Sequence, residues 1–204
     1  MALSMITGIQ EYDPIVKDDK SNPFKMITPS KAAACGKHWI GYSFPHNGHD
    51  RSPSYISKRQ LYSYFILPWK KVLSSGRGHG HGDHKKLMTI MESYTSFDGG
   101  VPNVINRYSL DHILRNEMKF NGAAITDYNE VLNAQNFHHI ASNITDAYYK
   151  VLTESSSIDM SMIGANEFDI KSYFESMSKL KDMNNSMNNN MFKDRVKESV
   201  RRIF

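Results

Sequence analysis

The sequence lacks the features that define several large classes of proteins. With one cysteine, Cys35, among 204 residues, it cannot form an internal disulfide framework. It has no apolar stretch near the roughly 20 residues that a membrane-spanning helix requires. Its first residues, MALSMITGIQEYDP, do not show the basic segment and the apolar segment of a secretory signal. We therefore expect no disulfide scaffold, no membrane span and no signal peptide in this chain.

The chain also lacks a strong excess of positive or negative charge. The 25 Lys and Arg residues only slightly outnumber the 21 Asp and Glu residues, and they are scattered along the chain. Such a distribution is typical of an ordinary solvated surface rather than of a nucleic-acid-binding face. Hydrophobic residues make up 40% of the chain, which is enough for one globular domain with a sizeable core.

Short apolar segments alternate with amphipathic segments along the chain. Strands are predicted at 31–42, 87–94, 122–126 and 157–163. Helices are predicted at 57–73, at 109–118 and around three later groups of apolar residues with helical spacing, namely Ile140, Ile144, Tyr148, Val151 and Leu152, then Ile170, Phe174 and Met177, and finally Phe192, Val196, Val200 and Ile203. The strand GAAIT at 122–126 is apolar on both faces, as a strand in a parallel sheet must be. The alternation predicts an α/β fold built from parallel strand–helix units.

Local signals add detail to this pattern. Ser57 and Gln60 form a capping box at the start of the helix at 57–73, whereas Pro68 is expected to kink or end that helix early. The Gly- and His-rich segment 74–86 lacks apolar periodicity, which predicts a loop insertion. The Asn- and Met-rich segment 181–191 predicts a second loop, between the last two helices.

Polar side chains lie at the ends of three predicted strands. Lys37 and His38 lie near the end of the first, Tyr94 ends the second and Asp127 directly follows the third. Because functional groups collect at the carboxyl ends of parallel strands, we expect these side chains to share a face. The sequence pattern alone leaves two interpretations of Asp127. It caps the helix that follows, or the strand holds its carboxylate at a working position.

Four longer motifs occur in the order, and near the spacing, of a known family: ACGKHWIGY, HDRSPSYISKRQLYSYFILPW, TIMESYTSFDGGVPNVINRYSLDHILRNEMKFNGAAITDYNEV and DRVKESVRRIF. On these motifs the chain resembles the glycoside hydrolase family 3 β-glucosidases, in particular the lysosomal type. The resemblance covers nearly the whole chain. It implies that residues 1–204 form the second half, about the fifth to the eighth strand, of a TIM-like (β/α)8 barrel that is incomplete in this chain. The other barrel half and the family's α/β sandwich domain are then expected in the same longer polypeptide or in another chain.

The resemblance also implies the chemistry of the site. Asp127, in the motif ITDY, matches the nucleophile of a retaining glycosidase, which forms a covalent glycosyl-enzyme. Substrate-binding residues of the family match Lys37, His38, Tyr94 and Met91, Arg51 matches an arginine of some relatives, and Tyr128 stands where many members have tryptophan. Core packing remains an alternative for Met91 and Tyr128, as does an ordinary solvated arginine for Arg51. The general acid/base is expected outside this chain, so the isolated chain is expected to have little or no activity.

The implied reaction is hydrolysis of terminal non-reducing β-D-glucosyl residues from a β-glucoside or an oligosaccharide. The resemblance implies no cofactor, no metal and a lysosomal or extracellular setting, and we expect neither a nucleic acid nor a membrane as a partner. Two rival interpretations remain. One is a metal-binding module formed by His79, His81, His84 and Asp83. The other is a non-catalytic, truncated half-barrel that acts as an interaction or remnant protein, because its unpaired strand edges would favour association.

Overall fold

The structure, a computed structural model, describes residues 1–10, 32–74, 87–97, 100–154, 157–186 and 191–203. Strands in this part of the chain are Cys35–Trp39 (β1), Thr89–Glu92 (β2), Ser96–Phe97 (β3), Val101–Pro102 (β4) and Ala123–Ile125 (β5). Helices are Ala2–Gln10 (α1), the consecutive segments Lys58–Gln60, Leu61–Ile66 and Leu67–Ser74 (together α2), Tyr108–Glu117 (α3), Glu130–Asn136 (α4), Ile144–Tyr149 with its continuation Lys150–Glu154 (α5), Glu167–Ser186 (α6) and Met191–Ile203 (α7). A short 3-10 turn covers Asn103–Ile105.

A parallel sheet forms the centre of the fold. β2 lies between β1 and β5, and Thr89 pairs with Cys35 on one side and with Ala123 on the other. Neighbouring strands of this sheet are joined by helices, as in parallel strand–helix units. The sheet confirms the predicted α/β class. β3 and β4 form a separate antiparallel pair, which the sequence analysis does not predict.

The prediction of a fourth regular strand, at 157–163, is wrong. Segment 157–163 runs beside β5 but makes a single parallel bridge, between Met160 and Ile125. The carboxylate of Asp159 accepts the N–H of Ala124 at 3.0 Å, so a side chain takes a hydrogen bond that a backbone ladder would otherwise use. The segment therefore keeps its predicted place without forming a ladder.

The helix α2 begins as predicted but does not end at its proline. Oγ of Ser57 accepts the N–H of Gln60 at 3.3 Å, and Oε1 of Gln60 accepts the N–H of Ser57 at 3.0 Å. Leu61–Ile66 then forms wider π-helical turns, and α-helix continues past Pro68 to Ser74. In a regular helix the proline ring clashes with the carbonyl of the preceding turn, and the wider turns give it room.

The later helices follow the predicted apolar spacing with different ends. α5 begins after Asn143, whose side chain accepts the N–H of Asp146 at 3.0 Å, so Ile140 lies before the helix. α6 reaches Ser186 and α7 begins at Met191, so helices occupy much of the range 181–191 that is predicted as a loop. Residues 187–190 lie outside the described residues, as does the predicted insertion 74–86 beyond its first residue.

The sequence prediction lacks α1 and mentions α4 only as a helix that follows Asp127, without a range. α1 and α4 are only 9 and 7 residues long, and each buries few side chains. Apolar periodicity needs a longer window to stand out, which is why the pattern does not indicate them.

The core lies between the sheet and the helices that cover it. Its largest fully buried apolar side chains are Trp39, Tyr148, Ile40, Ile56, Leu61, Ile66, Ile90, Leu110, Ile113, Leu114 and Ile158. Apolar side chains on α6 and α7, including Phe174, Val196 and Val200, instead remain exposed. Among the described helices, none is both long and apolar enough to cross a membrane.

Candidate active site

The sheet brings together polar residues that the sequence places at strand ends. His38 lies in β1, Tyr94 follows β2 and Asp127 follows β5. Nε2 of His38 lies 3.2 Å from Oδ2 of Asp127. The hydroxyl of Tyr94 donates to the carbonyl of Tyr128, the residue after Asp127, at 3.0 Å. The candidate site therefore lies where the carboxyl ends of three parallel strands meet.

The carboxylate of Asp127 accepts a hydrogen bond on one oxygen, whereas the other oxygen only lies near the His38 ring. Oδ1 accepts the N–H of Tyr128 at 2.7 Å, and the N–H of Asp127 itself donates to Oε1 of Glu92 at 2.9 Å. Oδ2 is buried and accepts no hydrogen bond from the described residues, because the nearby His38 ring is not aligned to donate one. The N-cap position of α4 belongs to Asn129. A buried, unpaired carboxylate oxygen is uncommon in proteins and often marks a functional site.

Tyr94 forms a wall of the site next to this carboxylate. It is mostly buried, at 8% exposure, and its ring lies 6.0 Å from that of Tyr42, centroid to centroid. Burial and the negative charge of Asp127 raise the pKa of Tyr94 above its usual value. The hydroxyl therefore stays protonated near neutral pH and acts as a hydrogen-bond donor.

His38 faces the carboxylate as a neutral ring. Burial lowers the pKa of His38 more than the charge of Asp127 raises it, and Lys37 lowers it further. A neutral imidazole donates from one nitrogen and accepts at the other, which suits hydroxyl groups of a ligand. Lys37 is exposed beside it. A cavity of about 810 Å³ opens at Lys37 and His38 towards α1 and Trp69, but Asp127 does not line it.

Arg51 reaches the site from the loop after β1. The centre of its guanidinium group lies 3.9 Å from the centroid of the Tyr94 ring, and it is ion-paired with Asp50. Oδ1 of Asp50 in turn accepts the hydroxyl of Tyr42 at 2.8 Å. The cation is therefore held against an aromatic wall of the site rather than extended into solvent.

Met91 and Tyr128, two predicted substrate-binding residues, differ in their exposure. Met91 is buried in β2, where it pairs with Ile125 of β5. Tyr128 contributes its backbone to the site through contacts with Asp127 and Tyr94, while its side chain is 50% exposed. The exposed ring of Tyr128, beside the carboxylate, is free to contact a ligand. Met91, by contrast, is largely enclosed within the sheet.

The sequence analysis misses a second buried carboxyl group beside Asp127. Glu92, the last residue of β2, is fully buried, and burial together with the charges of Glu130 and Asp127 raises its pKa well above the usual value. Glu130, the first residue of α4, is also fully buried, and its Oε1 lies 2.7 Å from Nε2 of His138. An acidic residue inside the strand-like run TIMESY is the sequence signal that could have indicated Glu92.

Metal binding has no support in the described part of the chain. No group of three His, Cys, Asp or Glu side chains is placed there to hold a metal ion. The rival metal module of His79, His81, His84 and Asp83 lies outside the described residues.

Sequence comparisons identify relatives that are enzymes. The family profile described as the glycosyl hydrolase family 3 N-terminal domain matches residues 1–204. The chain is 33% identical over 144 residues to the lysosomal beta glucosidase of Dictyostelium discoideum. This alignment covers 70% of this chain and 16% of that protein. It is 27% identical over 146 residues to a beta-xylosidase of Formosa agariphila, which covers 72% of this chain and 18% of that protein.

Solved structures with a similar fold are also glycosidases. A β-glucosidase from Erythrobacter marinus superposes with a TM-score of 0.71 at 18% identity, covering 98% of this chain and 22% of that one. A β-glucosidase from Listeria innocua in complex with glucose gives 0.66 at 23% identity, covering 84% of this chain and 20% of that one. At these identities the similarity concerns the fold.

These matches agree with the architecture. The chain spans less than a quarter of the length of the relatives it matches. Its parallel sheet and mixed helix and strand content fit the TIM-barrel-like fold of the family's N-terminal domain. Since the family profile covers the whole chain, the chain belongs to glycosyl hydrolase family 3.

Proposed function

We propose that this chain carries the nucleophile of a retaining β-glucosidase and that Asp127 is that nucleophile. The observation that carries the proposal is the carboxylate at the end of β5, with Oδ1 fixed by the N–H of Tyr128 and Oδ2 buried 3.2 Å from Nε2 of His38, without a hydrogen bond from the described residues. Oδ2 forms a bond to the anomeric carbon while the bond from that carbon to the leaving oxygen breaks. Water then attacks the anomeric carbon, gives a proton to the acid/base that we place outside this chain, and releases Asp127 as a carboxylate.

Six other residues bind the substrate in this proposal. Lys37 and His38 bind sugar hydroxyls, since lysine donates and a neutral imidazole both donates and accepts. Tyr94 and Arg51 form one wall, supported by their mutual contact of 3.9 Å. Met91 lines the apolar side of the glycone pocket, and the exposed ring of Tyr128 provides a platform for a sugar ring.

The chain is proposed to be the second half of the barrel, comprising about its fifth to its eighth strand. The first half and an α/β sandwich domain lie in the same longer polypeptide or in another chain. The small share of each relative that this chain covers supports this reading. Since a retaining glycosidase also needs an acid/base, which we place outside this chain, the isolated chain is proposed to have little activity.

The substrate is proposed to be a β-glucoside or an oligosaccharide with a terminal β-glucosyl residue. A lysosomal or extracellular setting is proposed for this chain, and the lysosomal setting is supported by the name of the relative from Dictyostelium discoideum, a lysosomal beta glucosidase. The relative named a beta-xylosidase makes xylosides the comparison substrates of choice.

Covalent trapping tests the nucleophile. The 204-residue chain is incubated with a deoxyfluoro-β-glucoside that carries a dinitrophenolate leaving group, because such a leaving group departs without an acid. We expect a mass increase of one deoxyfluoroglucosyl group, mapped to Asp127, and none in the isosteric variant Asp127→Asn. Glu175→Gln, which removes an exposed carboxylate of α6, should label like wild type. A folded wild-type chain that is never labelled, or is labelled elsewhere, would contradict the proposal.

Turnover of an ordinary aryl β-glucoside tests the inactivity of the isolated chain. We expect little release of the aryl alcohol, because a poor leaving group requires the acid that is placed outside this chain. Rapid turnover that disappears in Asp127→Ala would overturn that expectation while supporting Asp127.

A second candidate function is that of a non-catalytic half-barrel that associates with other chains. The exposed apolar side chains of α6 and α7, such as Phe174 and Val200, favour it. Sedimentation and trapping together distinguish the candidates, because an oligomer that is never labelled fits only the second.

A further inference from the structure

Glu92 is a buried carboxyl group that the proposed reaction does not use. It ends β2, is 0% exposed, and its Oε1 accepts the N–H of Asp127 at 2.9 Å. Its Oε2 is buried and has no hydrogen-bond partner among the described residues. No Lys, Arg or His side chain in that part of the chain forms an ion pair with it. An ionised carboxylate in this position would be an uncompensated buried charge, which is strongly unfavourable.

The groups that face Glu92 add negative charge. Glu130 of α4 and Asp127 of the loop after β5 both raise the pKa of Glu92, in addition to the larger effect of its burial. The hydrogen bond from the N–H of Asp127 opposes this shift without overcoming it. Both of these elements therefore bring another carboxyl group towards Glu92, while β1 pairs with Glu92 through Trp39, an uncharged residue.

The imidazole and amide groups of this region contact the carboxylate of Glu130 rather than that of Glu92. Nε2 of His138 lies 2.7 Å from Oε1 of Glu130, and Nδ2 of Asn133 donates to Oε2 at 2.7 Å. These contacts and the charge of Arg51 oppose the rise that burial causes in the pKa of Glu130. Of the two glutamates, Glu130 has side-chain partners for an ionised form on both oxygens, whereas, among the described residues, Glu92 has only the backbone N–H of Asp127 on one oxygen.

We propose that Glu92 is a positioning residue for the nucleophile: as a neutral carboxylic acid, it binds the N–H of Asp127 and fixes that residue without placing a second negative charge beside it. The inference rests on the proposed function of Asp127. A second charge would favour protonation of one of the carboxyl groups, and a protonated Asp127 is not a nucleophile. Glu92 takes no part in forming or breaking bonds to the sugar.

Two substitutions separate the parts of this proposal. Glu92→Gln keeps an oxygen that accepts the N–H of Asp127 and is neutral at every pH. Glu92→Leu has a similar size but removes the acceptor and leaves the buried N–H of Asp127 unpaired. Both are compared with the wild-type 204-residue chain.

The first readout is stability against pH, measured by urea denaturation. A raised native pKa makes the stabilising effect of the Glu92 proton complete below the ordinary glutamate pKa of 4.5 and progressively lost as the pH rises. We expect the folding equilibrium constant of the wild type, relative to Glu92→Gln, to fall by about tenfold per pH unit above that value. A ratio that stays constant across this range would overturn the neutral state of Glu92. This readout does not depend on any glycosidase activity.

The second readout is the trapping of Asp127 by the deoxyfluoro-β-glucoside, per folded molecule. We expect Glu92→Gln to react within about threefold of wild type, and Glu92→Leu to lose about tenfold or more in maximal rate with little change in half-saturating concentration. If Glu92 had only a structural role, Glu92→Leu would lower stability but leave the maximal trapping rate unchanged. Equal maximal rates in Glu92→Gln and Glu92→Leu would therefore overturn the positioning role. If the wild type is not trapped, the proposed function of Asp127 fails, and the positioning role fails with it. The pH readout still decides the charge of Glu92.

Discussion

One buried cluster of charged side chains is compensated by cations. The carboxylate of Asp159 is fully buried and lies 2.7 Å from a guanidinium nitrogen of Arg115, 3.0 Å from one of Arg195 and 2.9 Å from one of Arg202. Burial lowers the pKa of Arg115 to about 10, but this value is still high enough to keep the guanidinium charged at neutral pH. The cluster ties α3 and α7 to the segment beside β5.

The cluster around Asp127 has the opposite balance. It contains two more buried carboxyl groups, those of Glu92 and Glu130. Within ion-pairing distance of these three groups, the described residues place only two imidazoles, of His38 and His138. Compensated charges hold a fold together, whereas uncompensated carboxyl groups at strand ends give up stability and indicate a functional site. Substituting one member of each cluster tests this contrast.

The largest effect is expected at Asp127. Asp127→Asn should reduce the rate of covalent trapping on the order of 10⁴-fold or more, because the amide cannot act as the nucleophile. Stability should stay within about 1 kcal/mol of wild type or rise, since a negative charge is removed from a group of carboxyl groups. Trapping is followed by mass spectrometry and stability by urea denaturation. A large loss of stability would place Asp127 with the structural residues instead.

Asp159 should show the reverse pattern. Asp159→Asn should lower the free energy of unfolding by about 3–5 kcal/mol, because three largely buried guanidinium groups lose their shared buried carboxylate and, in the described part of the chain, only Arg195 and Arg202 keep an ion pair, with Glu198. Urea denaturation measures the loss. The control, Glu175→Gln, removes the exposed ion pair with Lys171 on α6 and should cost about 0.5 kcal/mol or less. A similar small cost at both positions would show that the arginines do not depend on Asp159.

A smaller effect is expected from acid at His38. Because its pKa is lowered in the folded chain, the unfolded chain binds the proton more readily, and stability is lost as the pH falls below the ordinary value of 6.5. His38→Gln removes this titration, so its melting temperature should rise relative to that of wild type on acidification. Thermal melts at a series of pH values measure the difference. A relative gain by the wild type would mean that the ion pair with Asp127 outweighs burial.

The smallest effect is expected at Tyr128, whose side chain is half exposed. Its backbone contacts persist in any variant, so Tyr128→Ala should change stability by about 0.5 kcal/mol or less. The half-saturating concentration of the trapping reagent should rise by about two- to tenfold, because a flat contact for the sugar is lost. Tyr128→Trp should lower it. An unchanged value in both variants would remove Tyr128 from the binding surface.

Local signals predicted local features well. The capping box of Ser57 and Gln60 is present, and the strand predicted at 122–126 forms β5. The helix does not end at Pro68, because the steric cost of the proline depends on the helical turns before it, which are π-helical here. The strand predicted at 157–163 was misjudged because Asp159 takes a backbone N–H that the ladder would use.

The sequence by itself determined the strand–helix alternation, and the positions of His38, Tyr94 and Asp127 at strand ends follow from it, because apolar spacing and chain order are local properties. Only the tertiary structure decided which charges meet. Glu92 and Glu130 are 38 residues apart and face each other only after β2 has paired with β5 and α4 has packed beside them. Burial and proximity, which set the charge state of a carboxyl group, exist only in the folded chain.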